Sequence, residues 1–181
     1  MDTKWWGHEI IHDDGDLAVF VIVDDRTGKN YEVAVDSADL KRLYWYEWTL
    51  SRPKGRESFH VRATKHGPRL HRLVLDAPEG MIVDHIDQNP LNNRRSNLRL
   101  ATPAQNVANT GARQRTRDGT PTSGFKGVSL CRRSGRFRAQ VFVEGKSRSL
   151  GYFDSPDLAA RAYDRAAEAE WGEFAVLNFP D

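Results

Sequence analysis

Two apolar, β-branched runs at 17–23 and 31–35 flank Asp-Asp-Arg-Thr-Gly-Lys, a spacing that predicts a hairpin closed by a glycine turn. Asp36 or Ser37 then caps a helix whose positions Leu40, Leu43, Tyr44 and Glu47/Trp48 follow the i, i+3, i+4, i+7 rule, giving it an aromatic-aliphatic core stripe. Residues 51–56 read as a polar loop and 59–63 as a short strand. Gly67-Pro68 opens a second helix that turns Leu70, Leu73 and Val74 inward. An apolar strand at 81–86 is followed by a loop built on Asn89-Pro90 and Asn92-Asn93, residues that favour turns. A return strand at 98–100 and a helix started by Thr102-Pro103 complete a strand, loop, strand, helix unit.

The pattern changes after residue 110. Residues 110–122 have almost no apolar content and read as a basic linker. Three short strands, at 125–131, 137–143 and 147–153, precede a helix that starts at Ser155-Pro156 and runs to Trp171-Gly172. Along the middle strand the odd positions Phe137, Ala139, Val141 and Val143 form a core face, while Arg136, Arg138 and Gln140 share the other. The fold class expected is α+β in four segments: a β-hairpin and helix module at 1–60, a second module at 61–109, the linker at 110–122, and a three-stranded antiparallel sheet packed on one helix at 123–181.

Composition narrows the function classes. The 181 residues carry 29% charged and 39% apolar side chains, with no apolar run of the length that spans a bilayer. No secretion signal is read at the start, so the expectation is an intracellular, cytoplasmic protein of a bacterial or phage-infected host, without a membrane or an obligate protein partner. The single cysteine, Cys131, excludes a thiolate cage for a metal. The formal net charge of +2 hides a partition: net −6 over 1–50, +7 over 51–122 and +1 over 123–181. Residues 94–117 hold six arginines and no acid, which points to an extended polyanion partner.

The chemistry is concentrated between Asp84 and Asn106. Asp84 offers an anionic ligand to a divalent ion, and Asn106 a carboxamide oxygen from the helix after the strand pair. His85, with an ordinary pKa of about 6.5, can accept a proton from water near neutral pH. Adjacent strand residues point to opposite faces, so Asp84 and His85 share a site only where the strand ends or bends.

The text His71-Arg72-Leu73-Val74, Val83-Asp84-His85-Ile86-Asp87, Asn89-Pro90-Leu91-Asn92-Asn93, Asn97-Leu98-Arg99-Leu100 and Gln105-Asn106 resembles the HNH endonucleases, specifically free-standing homing-type enzymes of phage genomes. The resemblance implies a central ββα-metal fold at 61–109. His85 would be the general base, Asp84 and Asn106 the holders of the ion, and Asn97 or Asn93 the residue that steadies the loop. Asn106 stands where the family name has histidine, which implies magnesium, with manganese as the other hard ion.

Residues 123–181 resemble the DNA-binding domain of plant ethylene-response and APETALA-type factors through Gly124-Phe125-Lys126-Gly127-Val128, Leu150-Gly151-Tyr152-Phe153, Ala162-Tyr163-Asp164 and Leu177-Asn178-Phe179-Pro180. By that resemblance Arg132, Arg133, Arg136, Arg138 and Arg148 contact DNA, with Lys126 beside them, and Tyr163 and Asn178 belong to the scaffold. Arg72, Arg94, Arg95 and Arg99 around the nuclease segment, and Arg113, Arg115 and Arg117 in the linker, are expected to track the duplex. Two readings follow: a site-directed DNA endonuclease with one divalent ion, or a sequence-specific DNA-binding regulator whose nuclease segment is inactive.

Overall fold

The computed structural model describes residues 4–5, 8–52, 59–64, 66–112 and 123–180. The fold is α+β, with small antiparallel sheets and few helices. Its contacts divide the chain into two compact units, residues 1–100 and 101–181.

In the first unit, β1 (Lys4–Trp5), β2 (His8–Asp13), β3 (Leu17–Val23) and β4 (Asn30–Asp36) form one sheet in sequence order. The expected hairpin is β3 and β4, in register from Leu17 opposite Asp36 to Val23 opposite Asn30. Period-two alternation sends Ala18, Phe20 and Ile22, with Val33 and Val35, into the core. The strand β2 has no clear apolar alternation, and a side chain fastens it: Trp48 N–H donates to His8 Nε2 at 2.9 Å, while His8 Nδ1 lies 3.2 Å from Val21 O.

The helix expected through Trp48 is shorter. A 3-10 turn at Ser37–Asp39 runs into α1 (Leu40–Leu43), and Trp48 instead begins β5 (Trp48–Ser51), paired with β6 (His60–Ala63). Leu43 and Trp48 are buried as expected, the indole N–H donating to Leu43 O at 3.2 Å, but Tyr44 lies on the surface. The second helix, α2 (Leu70–Val74), starts after Pro68 and buries Leu70 and Val74. The strands β7 (Ile82–His85) and β8 (Leu98–Ala101) pair in a two-stranded sheet.

One apolar cluster runs from Ala18, Phe20 and Val33 through Trp48, Val61 and Leu70 to Val83 and Leu98. The expected boundary at 60/61 therefore lies within a shared core. Side chains from both sides of that boundary pool in it, which enlarges the buried fraction.

The second unit begins with α3 (Pro103–Ala108), opened by a reciprocal cap. Thr102 Oγ1 accepts from Gln105 N at 3.3 Å, and Gln105 Oε1 accepts from Thr102 N at 2.8 Å. The strands β9 (Val128–Cys131), β10 (Arg136–Val143) and β11 (Lys146–Phe153) form an antiparallel sheet with β10 in the middle. The helix α4 (Pro156–Trp171) starts at the expected Ser155 cap and buries Ala159, Ala160, Tyr163 and Ala167. The chain before β9 is irregular because Gly127, at φ +73°, passes so close to the Tyr163 ring that a Cβ would collide with it.

Candidate nuclease site and DNA-reading face

The strand β7 ends at His85, so Asp84 and His85 diverge in the way strand alternation demands. Asp84 is buried and its Oδ2 accepts from Arg99 Nε at 3.1 Å, across the strand pair. His85 lies on the other side. Its Nε2 is 3.3 Å from Asn93 Oδ1, and its ring meets the buried His71 ring edge-on, 5.2 Å between centroids at 87°. Burial pushes the His85 imidazole below its ordinary value, against the opposing pull of the Asn93 contact and of the Asp87 and Asp84 carboxylates. Burial likewise holds His71 down, to about 3, with the neighbouring His85 adding to it.

The loop after β7 is knitted by carboxamides. Asn97 Oδ1 accepts from Asp87 N at 3.0 Å, and its Nδ2 donates to Asp87 Oδ1 and to Asn92 O, both at 2.8 Å. Asn92 Nδ2 donates to Asp87 Oδ2 at 2.8 Å, and Asn89 Oδ1 accepts from Leu91 N at 3.1 Å. Burial would raise the Asp87 carboxyl, but the N–H groups of Asn89, Asn92 and Asn97 prevail and hold it below the usual range. Asn97, a candidate site residue, thus ties the two ends of the loop.

The loop is docked on the first sheet. Ala34 N donates to Leu91 O at 2.9 Å, and Asn93 N donates to Ala34 O at 2.8 Å. Arg94 Nε donates to Asp36 Oδ1 at 2.8 Å and its Nη2 to Asp16 Oδ2 at 2.6 Å. Arg95 N donates to Asp36 Oδ2 at 2.8 Å, and its guanidinium forks onto Asp39. Arg72 sends its guanidinium into three carbonyls, those of Ala77, Pro78 and Met81, and so holds the chain between α2 and β7. Part of the acidic excess of residues 1–50 thereby finds its counterpart in the loop arginines, a link that no local motif could reveal. Asn93 and His71 are the site neighbours whose contact with His85 sequence spacing alone did not single out.

Asn106 sits half-buried on α3 in the second unit, its backbone N–H donating to Thr102 O at 3.0 Å. Asp84 and Asn106 each carry an oxygen donor of the hard kind. Among the described residues no group of three or more His, Cys, Asp or Glu side chains gathers that could hold a metal. A magnesium-class ion prefers oxygen donors of this kind, takes one or two from protein and keeps several waters.

On the carboxy-terminal sheet the alternation of β10 is the expected one, with Ala139 and Val141 buried. Arg138 pairs with Ser129 and Tyr152 and lies beside Ser149, so these residues share the face away from α4. Arg136 is on the same face, its Nε donating to Asp154 at 2.9 Å, and Arg132 and Arg133 are exposed in the β9 to β10 turn. Arg148 is exposed but pairs with the buried Val141, which gives it a register position on the opposite face. Lys126 is turned inward: its Nζ donates to Ala108 O, it lies over the Tyr163 ring, and burial lowers its pKa to about 8. Of the two residues expected in the scaffold, Tyr163 is buried, and Asn178 N and Nδ2 both donate to Asp164 Oδ1, at 2.8 and 3.0 Å. Arg113, Arg115 and Arg117 lie outside the described residues.

Residues 76–108 match the family model described as HNH endonuclease, and residues 123–173 match the AP2 domain. An uncharacterized HNH endonuclease of Acanthamoeba polyphaga mimivirus is 34% identical over 139 residues, covering 74% of this chain and 67% of that protein. Protein 3.8 of Escherichia phage T7 is 36% identical over 113 residues, covering 60% of this chain and 88% of that protein. An AP2-like ethylene-responsive transcription factor of Arabidopsis thaliana, TOE2, is 45% identical over 58 residues, 32% of this chain and 12% of the plant protein. No solved structure matches the chain. With its catalytic-type segment and its carboxy-terminal sheet each matched, the chain belongs to the HNH endonucleases and carries an AP2 domain.

Proposed function

We propose that this protein is a site-directed DNA endonuclease of the homing type, in which a ββα-metal nuclease segment cuts a phosphodiester bond and the AP2 domain selects the duplex. The observation that carries the reading is His85 at the end of β7, its Nε2 held by a buried carboxamide, inside the segment matched to HNH endonucleases.

His85 acts as the general base. It takes a proton from the attacking water as the new oxygen–phosphorus bond forms and the bond to the 3′-oxygen breaks, and solvent returns a proton to the departing oxygen. Asp84 and Asn106, both within the matched segment, would hold one magnesium or manganese ion. When bound, such an ion would supply charge neutralisation for the developing transition state. Arg99 orients the buried Asp84 carboxylate through its Nε–H. Arg72, Arg94 and Arg95 serve the shape of the nuclease segment, since their guanidinium groups are engaged by carbonyls and acids of the same unit. DNA contact falls to the outer sheet face, where Arg136 and Arg138 are the base-edge candidates and Arg132 and Arg133 reach phosphate.

The test is incubation of supercoiled plasmid with the protein and magnesium, beside His85→Ala. Nicking by the parent and none by the variant is expected. Equal nicking by both would remove His85 from the mechanism. Absence of nicking in both, with DNA binding retained, would favour the regulator reading that the AP2 match also supports.

A further inference from the structure

Ala108, the last residue of the segment matched to HNH endonucleases, is held by the carboxy-terminal module. Its carbonyl lies at the end of α3, where the final carbonyls of a helix have no partner within it. It accepts from Lys126 Nζ and from Val176 N, the latter at 3.3 Å. The backbone that presents Lys126 is itself pinned. Lys126 N donates to Asn178 Oδ1 at 2.7 Å and Lys126 O accepts from Asn178 Nδ2 at 3.2 Å, while Asn178 is tied to the buried Asp164 of α4. The lysine stem then passes over the Tyr163 ring, with Nζ 5.9 Å from its centroid. An ammonium withdrawn from water needs such partners, a carbonyl and a ring face. Apolar packing holds α3 less closely. Ala104 and Val107 line one side of a cleft whose other side is formed by Val141, Tyr163 and Trp171, and Val107 is 54% exposed. A helix of six residues is also too short to persist unaided, so the polar clasp at Ala108 weighs heavily in its attachment.

We propose that Lys126 is a positioning residue that clasps α3 to the DNA-reading module, so that α3 travels with the reader and the length of the linker at 110–122 does not set the span between them. Its ammonium serves the clasp and makes no phosphate contact. The chain passes from the nuclease segment to the reader through α3, so loosening the clasp spreads the cuts about the sequence that is read. This last consequence rests on the endonuclease reading; the clasp itself does not.

Amide hydrogen exchange in the full-length, nitrogen-15-labelled chain tests the clasp without DNA or metal. The N–H groups of Asn106, Asn109 and Thr110, each bonded to a carbonyl of α3 or its cap, are expected to exchange slowly in the parent. They should stay equally slow when a Gly-Ser segment of about ten residues is inserted after Arg117. Lys126→Met, which keeps an apolar stem and removes the donor, is expected to speed these amides at least about tenfold, the scale of one lost hydrogen bond to a charged group, and to leave those of α4 unchanged. Exchange of the parent's α3 amides at the rate of an unstructured chain overturns the proposal, even where the methionine variant does not fold. Unchanged α3 rates in a folded Lys126→Met overturn it as well. Nicks mapped on an end-labelled duplex bearing a selected site give a second readout: one offset for the parent and for the lengthened linker, several for Lys126→Met. Cuts that move with linker length overturn the proposal, and so does a salt slope of DNA binding lowered by about one in Lys126→Met, which would put the ammonium on a phosphate. Should no strand be nicked, the endonuclease reading fails and the exchange rates still decide the clasp.

Discussion

Arg95 grips Asp39 with two parallel hydrogen bonds, Nε to Oδ2 at 3.0 Å and Nη2 to Oδ1 at 2.7 Å, joining the nuclease loop to the turn after β4. The acid is buried and the arginine is about half exposed. Asp39→Ala is therefore expected to destabilise the fold by about 2 kcal/mol, the scale of hydrogen bonds to a charged group with partial screening. Urea unfolding measures it. A change below a few tenths of a kcal/mol would mean that the fork is not used in solution.

His71 makes stability depend on pH. Its folded-state pKa is lowered to about 3, whereas the unfolded side chain titrates near 6.5, so between those values the unfolded chain binds a proton that the folded one refuses. Stability is complete above pH 6.5 and declines on acidification, by up to about 1.4 kcal/mol per pH unit from this group. His71→Gln should flatten the decline between pH 6.5 and 5, where few carboxylates titrate. An identical slope in the variant, measured by denaturant midpoints, would contradict the assignment.

Gln88 has φ +61°, a left-handed conformation in the turn where its N–H donates to His85 O at 2.9 Å. Glycine adopts that region without the Cβ penalty, although it costs more entropy on folding. Gln88→Gly is expected to stabilise by about 0.5 to 1 kcal/mol. A lower unfolding midpoint in the glycine variant would show that the side chain makes compensating contacts.

Arg138 and Arg148 lie at register positions on opposite faces of the carboxy-terminal sheet, so they should differ on DNA. With a duplex selected from a random pool, Arg138→Ala is expected to weaken binding by about 1 to 3 kcal/mol and to relax preference at one base pair. Arg148→Ala should at most lower the salt slope by about one. Anisotropy titrations over a potassium chloride series separate these outcomes, and equal losses would reject the outer face as the reader.

The elements legible in the sequence are those specified by local signals. The hairpin of β3 and β4, the caps at Thr102 and Ser155 and the two faces of β10 follow from alternation and turn chemistry within a few residues. Trp48 was not legible as a strand residue, because helical spacing to Leu43 is local while its pairing with Ala63 is not. The same divide runs through the candidate site. Asp84 and His85 stand out as a motif, but the Asn93 carboxamide reaches His85 only once the loop is seated on Ala34, and the acids that hold Arg94 and Arg95 lie 56 to 78 residues away in the chain.

Seating the loop on Ala34 has one more consequence. β4 is the last strand of its sheet, and an uncovered outer strand is a template on which another chain can add. Leu91 and Asn93 occupy its hydrogen-bonding groups at Ala34, in a parallel bridge opposite Asn92. The asparagine-rich loop is thus also a guard on that flank, and variants that loosen it would be prone to strand-to-strand self-association.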